Sequence, residues 1–388
     1  MTGSIGPLLP ADEGFNHQIV ETFATVLQTD LAWTEKVCGM AGARDGSLQV
    51  AFGFGKYTNR NVVDAYAGIS RGVEQWTVRA SRSLSSDPDS ISVGPIHYEI
   101  VEPLKVIHVW LEVNDVQPIA FDMVFKGVVP PYLEEREDRR DSHGFRRNAD
   151  QIRYHQTGLA RGWVEVLGNR IDIDMNTWVA TRDHSWGIRQ DVGAPLTDVE
   201  PMDPMDVVPK VLAIWNPILF QKADGSHYAM HQYHLEFHGS GFSHEVFQGH
   251  FEYPDGHRDR IIRLEPVLHF GTDNKRFLGG KFVFTMGDES ERHVTARPIS
   301  NTGFHLGTGL YHGGLDGKYH GSWRGELHLD GEYFENCANP DVVQRIHQFR
   351  DCMIRVEDPT GGGIGWGNCQ TYVKGDWPDF GLRVGDSS

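Results

Sequence analysis

The amino-acid sequence predicts an all-β fold with few helices, arranged as two barrel-like or sandwich-like modules of antiparallel strands. Three observations carry that prediction. Successive short segments alternate apolar and polar residues with a period of two and are separated by turn residues. Glycine and aromatic residues are plentiful (Gly 44, Trp 10, Phe 20), which suits short strands, tight turns and bulges better than helices. A stretch at 191–210, "DVGAPLTDVEPMDPMDVVPK", with four prolines and several aspartates, divides the 388 residues into two β-rich halves.

In order along the chain, "FNHQIVETFATVL" (15–27) spaces Ile19, Phe23, Val26 and Leu27 as one helical face, predicting a first helix. From residue 46 the period changes to two. "SLQVAFGFG" alternates Leu48, Val50, Phe52 and Phe54 with smaller residues. "LKVIHVWLEV" sets Ile107, Val109 and Leu111 against His108 and Trp110, and "IAFDMVF" repeats the pattern with Asp122 on the polar side. Residues 133–150, "LEEREDRRDSHGFRRNAD", read as a solvated surface excursion. Strand-like segments resume after 210 with "HYAMHQYHLEFH", "KFVFTM" and "RGELHLDGEYF". One helix is expected at "NPDVVQRIHQFR", where Asn339 suits the N-cap, Pro340 the first helical position, and Val342, Ile346 and Phe349 an apolar stripe. The run "TGGGIGWG" (360–367), without a convincing strand before it or helix after it, is expected to be a turn or close backbone crossing rather than a phosphate loop.

Charge narrows the function classes. Asp and Glu number 53 against 36 Lys and Arg, a formal net charge of −17, which opposes nucleic acid and anionic lipid as partners. No apolar run approaches the roughly 18 residues of a membrane span, and the N-terminus carries no basic and apolar pattern of a signal peptide. Cys38, Cys337, Cys352 and Cys369 are scattered without CxxC spacing, so packing thiols in a reduced cytoplasm are expected.

Short catalytic signatures are missing: no G-x-S-x-G, Walker A, H-E-x-x-H or zinc-type cysteine spacing occurs. Twenty histidines are present, several in "SHYAMHQYHLEFHGSGFSHEVFQGHFEY". On a strand, His234 and His238 lie about 13 Å apart, too far for one ion, so no metal site is assigned unless neighbouring strands supply ligands. His231 would share a face with Tyr233, Leu235 and Phe237, a polar group on an apolar face. The densest chemistry is "TRDHSWGIR" (181–189). Strand alternation puts Trp178, Arg182, His184 and Trp186 on one face and Thr181, Asp183 and Ser185 on the other. Asp183 and His184 reach one cavity only if the chain bends, which Gly187 or a bulge near it could supply. A proton-transfer site and a structural strand-end network, with Arg182 or Arg189 pairing Asp183, both fit these residues.

"RDHSWGIR" resembles the Arg-Asp-His-Ser-Trp-Gly motif of the two-domain, lipocalin-like AttH and carotenoid-hydratase group, which includes tocopherol cyclases and decalin-forming Diels–Alderases. "SVGPIHYEIVEPLKVIHVWLEVNDVQPIAFDMVFKG" (92–127) and "YHQTGLARGWVEV" (154–166) resemble the same group. The resemblance implies two lipocalin-like modules, 1–195 and 205–388, around an apolar pocket that works without an organic cofactor. It implies a lyase of hydratase, dehydratase or decarboxylase type, or else a cyclase or isomerase, or a carrier, for a bulky hydrophobic or aryl-containing molecule. Asp183 would be the proton donor and His184 its acid–base partner. Arg182 or Arg189 would hold an anion, Trp186 and Trp178 would stack on the ligand, and Tyr154, His155 and His231 would complete the wall. Edge strands could pair two copies as a homodimer.

Overall fold

The computed structural model describes residues 8–17, 29–85, 87, 90–141, 144–200, 210–239, 242–311 and 314–383. The predicted helix at 15–27 falls largely on 18–28, outside the described residues, as does 201–209 of the expected boundary. Among the described residues, no helix is long and apolar enough to cross a membrane.

The first half forms β1 (Trp33–Ala43), β2 (Gln49–Tyr57), β3 (Val62–Arg71), β4 (Glu74–Ser83), β5 (Ile96–Glu102), β6 (Val106–Leu111), β7 (Ile119–Gly127), β8 (Tyr132–Leu133), β9 (Glu137–Arg140), β10 (Arg147–Val166), β11 (Asn169–Ile173) and β12 (Trp178–Ile188). The second half forms β13 (Lys210–Lys222), β14 (His227–Gly239), β15 (Phe242–Glu252), β16 (Arg258–Phe270), β17 (Phe277–Met286), β18 (Glu291–Pro298), β19 (Phe304–His305), β20 (Leu327–Phe334), α1 (Pro340–Ile346), β21 (Arg350–Asp358) and β22 (Gly363–Lys374). All pairings between these strands are antiparallel, and the all-β class is the one predicted. The first sheet runs β20-β4-β3-β2-β1-β12-β10-β7-β6-β5, so β20 crosses from the second half of the sequence to pair with β4. The second runs β18-β17-β16-β15-β14-β13-β22-β21-β19, and β18 also pairs with β21, closing eight strands into a barrel.

Burial shows why these strands differ in pattern. In β18, which meets solvent on its outer side, buried and exposed residues alternate. In β2 every residue is buried, and in β12 all but Asp183 are, because both faces are covered. One face of β1, β2 and β12 packs into the first core around Val37, Phe52, Phe54 and Phe121. The other face meets the second sheet, where Met40 and Val179 pack on Leu219 and Met353. A Cβ on Gly42 would sit 2.5 Å from Met353 Sδ, so any larger residue there would have to displace the Met353 side chain.

Three expectations are refined. Asn339 caps α1 as predicted, its side chain accepting from Asp341 N–H at 2.9 Å, and Val343 and Ile346 are its buried residues. Only the first part of the "TGGGIGWG" run is a turn: Thr360, Gly361 and Gly362 follow β21, whereas Gly363 to Gly367 already pair as the start of β22, and Gly367 lies against the Pro217 carbonyl. The 133–150 segment is not uniformly solvated. Glu134, just after β8, and Asp150, on β10, are buried, because β8 and β9 pair along β10 and Arg153 and Arg136 close over the two carboxylates.

Candidate active site between the two sheets

β12 is held in unbroken register by β1 on one side and β10 on the other, from Trp33↔Ile188 to Ala43↔Trp178 and from Asp150↔Ile188 to Gly158↔Ala180. Gly187 takes φ 135°, yet its pairings with Thr34 and Gln151 keep the ladder intact. The chain therefore does not bend between Asp183 and His184, and the two side chains leave the strand on opposite faces.

The core-facing side is a closed polar network. Glu13, from the segment before β1, receives both terminal nitrogens of Arg182, Nη2 to Oε2 at 2.9 Å, and the Tyr154 hydroxyl donates to Glu13 Oε1 at 2.7 Å. Gln156 Oε1 accepts from Arg182 Nε at 3.1 Å and Nη2 at 2.8 Å. Burial opposes the Glu13 charge, but Arg182 outweighs it and holds the carboxyl below its usual range. Arg182 borders the cavity described below, but its guanidinium is spent on these partners, leaving no donor for a substrate anion. His184 contacts the Tyr154 hydroxyl through Nδ1 at 3.2 Å and stacks on Phe15, and burial lowers its pKa. Trp186 stacks on His17 at 3.9 Å, and Trp178 is buried in the first core. The structure thus brings Arg182, His184, Trp186 and Tyr154 together on the core-facing side of β12.

The other side of β12 faces a cavity of about 110 Å³ between the sheets. Asp183 and Arg189 line it with Lys36 and Arg153 on the first sheet, and Asp351 and Gln370 on the second. Met40, Tyr66, Trp215 and Leu310 supply apolar wall. Among the described residues the Asp183 carboxylate has no hydrogen-bond or ion-pair partner. Burial pushes its pKa up, while Arg153 and Arg189 pull it down. Asp351 accepts from Asn368 Nδ2 at 2.6 Å and Gln370 Nε2 at 2.8 Å, and burial still drives it up to about 6. Lys36 is buried with its pKa lowered by desolvation, and its ammonium has no hydrogen-bond partner among the described residues. Arg189 donates to Ser185 Oγ. Two carboxyl groups from different sheets and several cations thus converge on one partly apolar space. Such a set can donate a proton, accept one and hold an anion.

His155 and His231 sit beside this cavity, in a cluster behind Arg153 and Trp215. His155 lies between Glu134 Oε1 (3.0 Å) and Glu252 Oε1 (2.9 Å), which raise its pKa to about 9 against the opposing effect of burial. Glu134 also receives Arg153 and Trp215 Nε1. His231 stacks on His155 at 3.5 Å, not in a cavity of its own.

Sequence reading misses Glu13, Lys36, Glu134 and Asp351. Lys36 and Asp351 each left a trace, a charged residue inside an otherwise buried strand, "WTEKVCGMAGA" and "RDCMIRV". Glu13 and Glu134 lie in polar segments with no such contrast.

A family model described as a family of unknown function (DUF8625) matches residues 9–366. The chain belongs to that family. No curated protein matches it by sequence. Among solved structures, the DUF8625 chain superposes on a Nitrosomonas europaea protein assigned as an AttH with TM-score 0.51 and 10% identity, covering 90% of this chain and 98% of that one. Kievitone hydratase from Nectria haematococca gives TM-score 0.43 at 10% identity over 88% and 89% of the two chains. CghA gives 0.48 at 12% identity over 89% of each. The DUF8625 chain has the AttH-like, lipocalin-type fold that its motif implies.

Proposed function

We propose that this DUF8625 chain is a cofactor-independent lyase, adding or removing water or releasing CO₂ by acid–base chemistry in the inter-sheet cavity. One observation carries the reading: Asp183 presents an unpartnered carboxyl to a cavity whose opposite wall presents Asp351. Two carboxyl groups near one space do not ionise together easily, so one keeps its proton while the other is a base. In the hydration direction, Asp183 gives its proton to an alkene carbon of the substrate. Water bonds to the adjacent carbon, and Asp351 takes the proton that water sheds. Dehydration is the reverse. Lys36 and Arg189 would hold a carboxylate or phenolate, and Tyr66 and Trp215 would pack on its ring.

The cavity bounds the substrate. At about 110 Å³ it is smaller than the roughly 150 Å³ cavity known to accept benzene. The reacting end of a compact aryl or enoic acid fits this space, whereas a bulky body would have to lie outside it. His184, on the other face of β12, positions the strand and is not the partner base.

The test is incubation in D₂O with a panel of phenolic and isoprenoid acids and alcohols, read by mass spectrometry. Gain of D₂O, or loss of water or CO₂, abolished in Asp183→Asn, supports the reading. An unchanged formula with altered retention would replace it by a cyclase or isomerase. Retention of ligand without conversion would leave a carrier.

A further inference from the structure

We infer that His17, Glu35 and His184 form a binding site for a divalent transition-metal ion of the Zn²⁺ class, which clips the N-terminal segment to the first sheet. The three residues come from the segment before β1, from β1 and from β12, and all are buried (9, 1 and 0% exposed). Glu35 Oε2 lies 2.9 Å from His17 Nδ1 and 3.5 Å from His184 Nε2. Ligands at about 2.0–2.1 Å around a tetrahedral ion are separated by roughly 3.3 Å, so these atoms already stand at the edges of such a shell.

The outer contacts sort the nitrogens. The Tyr154 hydroxyl has one proton, and it goes to the carboxylate of Glu13. Its oxygen can therefore only accept from His184, which places a proton on Nδ1 and leaves Nε2 as a lone pair aimed at a carboxylate. His184 Nε2 has no hydrogen-bond partner, although the residue is wholly buried. A buried lone pair facing a carboxylate oxygen is repulsive unless a cation lies between them. On the other ligand, His17 Nε2 faces Asp12 Oδ1 at 3.5 Å, leaving Nδ1 toward Glu35. Each histidine thus has its outward nitrogen directed at a protein oxygen and its inward nitrogen at the common carboxylate, the arrangement that orients imidazole ligands.

Ring geometry separates this cluster from the second group with similar composition, Glu134, His155 and His231. Two imidazoles on one tetrahedral ion hold their ring centres about 5 Å apart, given bonds of about 2.0–2.1 Å. The His17 and His184 rings lie 5.2 Å apart at 86°. Those of His155 and His231 lie 3.5 Å apart and nearly parallel, which no shared ion allows. Access to the first site is available from a groove lined by His17, Asp12 and Glu13 among the described residues. The site lies on the opposite face of β12 from Asp183 and does not depend on the proposed activity.

The test uses the full-length chain, stripped with chelator and titrated with Zn²⁺ and with Co²⁺. One equivalent bound, a tetrahedral Co²⁺ absorption spectrum and a raised melting temperature are expected. His17→Gln should weaken binding at least a hundredfold. Asp12→Asn, which keeps all three ligands, weakens the outer contact to His17 and retains a side-chain oxygen for the Leu9 N–H, should weaken it about tenfold. Failure of the stripped chain to take up either ion would overturn the proposal. So would binding that neither substitution changes.

Discussion

Arg182 and Asp183 are adjacent in sequence and differ in almost every physical respect. Arg182 points into the first module, where Glu13, Gln156 and the Tyr154 hydroxyl surround its guanidinium. Asp183 points between the sheets, where its carboxyl meets no partner among the described residues and feels the field of Arg153, Arg189 and Lys36 against that of Glu134. A group whose charge is fully matched contributes to holding the fold. A group left unmatched in a cavity is available to something that enters it. On the proposed reading, one strand carries a structural face and a reactive face, offset by a single residue.

Substitutions should divide along that line. The largest expected effect is Asp183→Asn, which should lower turnover about 10²- to 10⁴-fold by removing the transferable proton, with a melting temperature within a few degrees of the parent. A loss of folding in this variant would erase the distinction between the two faces. Arg182→Ala should do the reverse, destabilising the chain by about 3–5 kcal/mol because Glu13 is left as an uncompensated buried charge. Denaturant unfolding measures this, and Arg182→Met combined with Glu13→Leu should recover most of the loss if the pair is a matched unit.

The pH dependence sharpens the same comparison. Asp351 is raised to about 6 in the folded chain, against an ordinary value near 3.9. Between those values the folded state binds more protons than the unfolded one. The contribution of Asp351 to stability is therefore present below about pH 4 and is lost as pH rises to about 6. Urea midpoints across that window should fall with rising pH by a part that Asp351→Asn removes, and the acid limb of the activity profile should sit near pH 6. The smallest effect is expected at Lys36. Lys36→Met replaces a buried, unpaired ammonium with a chain of similar shape, so stability should hold or rise by about 1 kcal/mol. KM for an anionic substrate should rise about tenfold with little change in kcat, a split that steady-state kinetics resolves.

Much of this is legible in the amino-acid sequence. The period-two segments place β6 and β7 with their buried faces as read, since a strand with one solvated side must alternate. The same rule already sets Asp183 against His184 and leaves only a bend to reunite them. The unbroken pairing of β12 on both edges removes the bend. Lipocalin-type resemblance and the observed fold agree at 10% identity, because alternation and turns tolerate wide change in side chains.

What the chain by itself determined is local: which segments are strands, which residues share a face, and that a dense polar motif ends β12. Only tertiary structure decided which face is satisfied. Glu13 reaches Arg182 from 169 residues away, and Asp351 reaches the cavity wall from the other sheet. Alternation constrains neighbours along a strand, whereas ion pairing and cavities are set by which strands of distant sequence come to lie opposite one another.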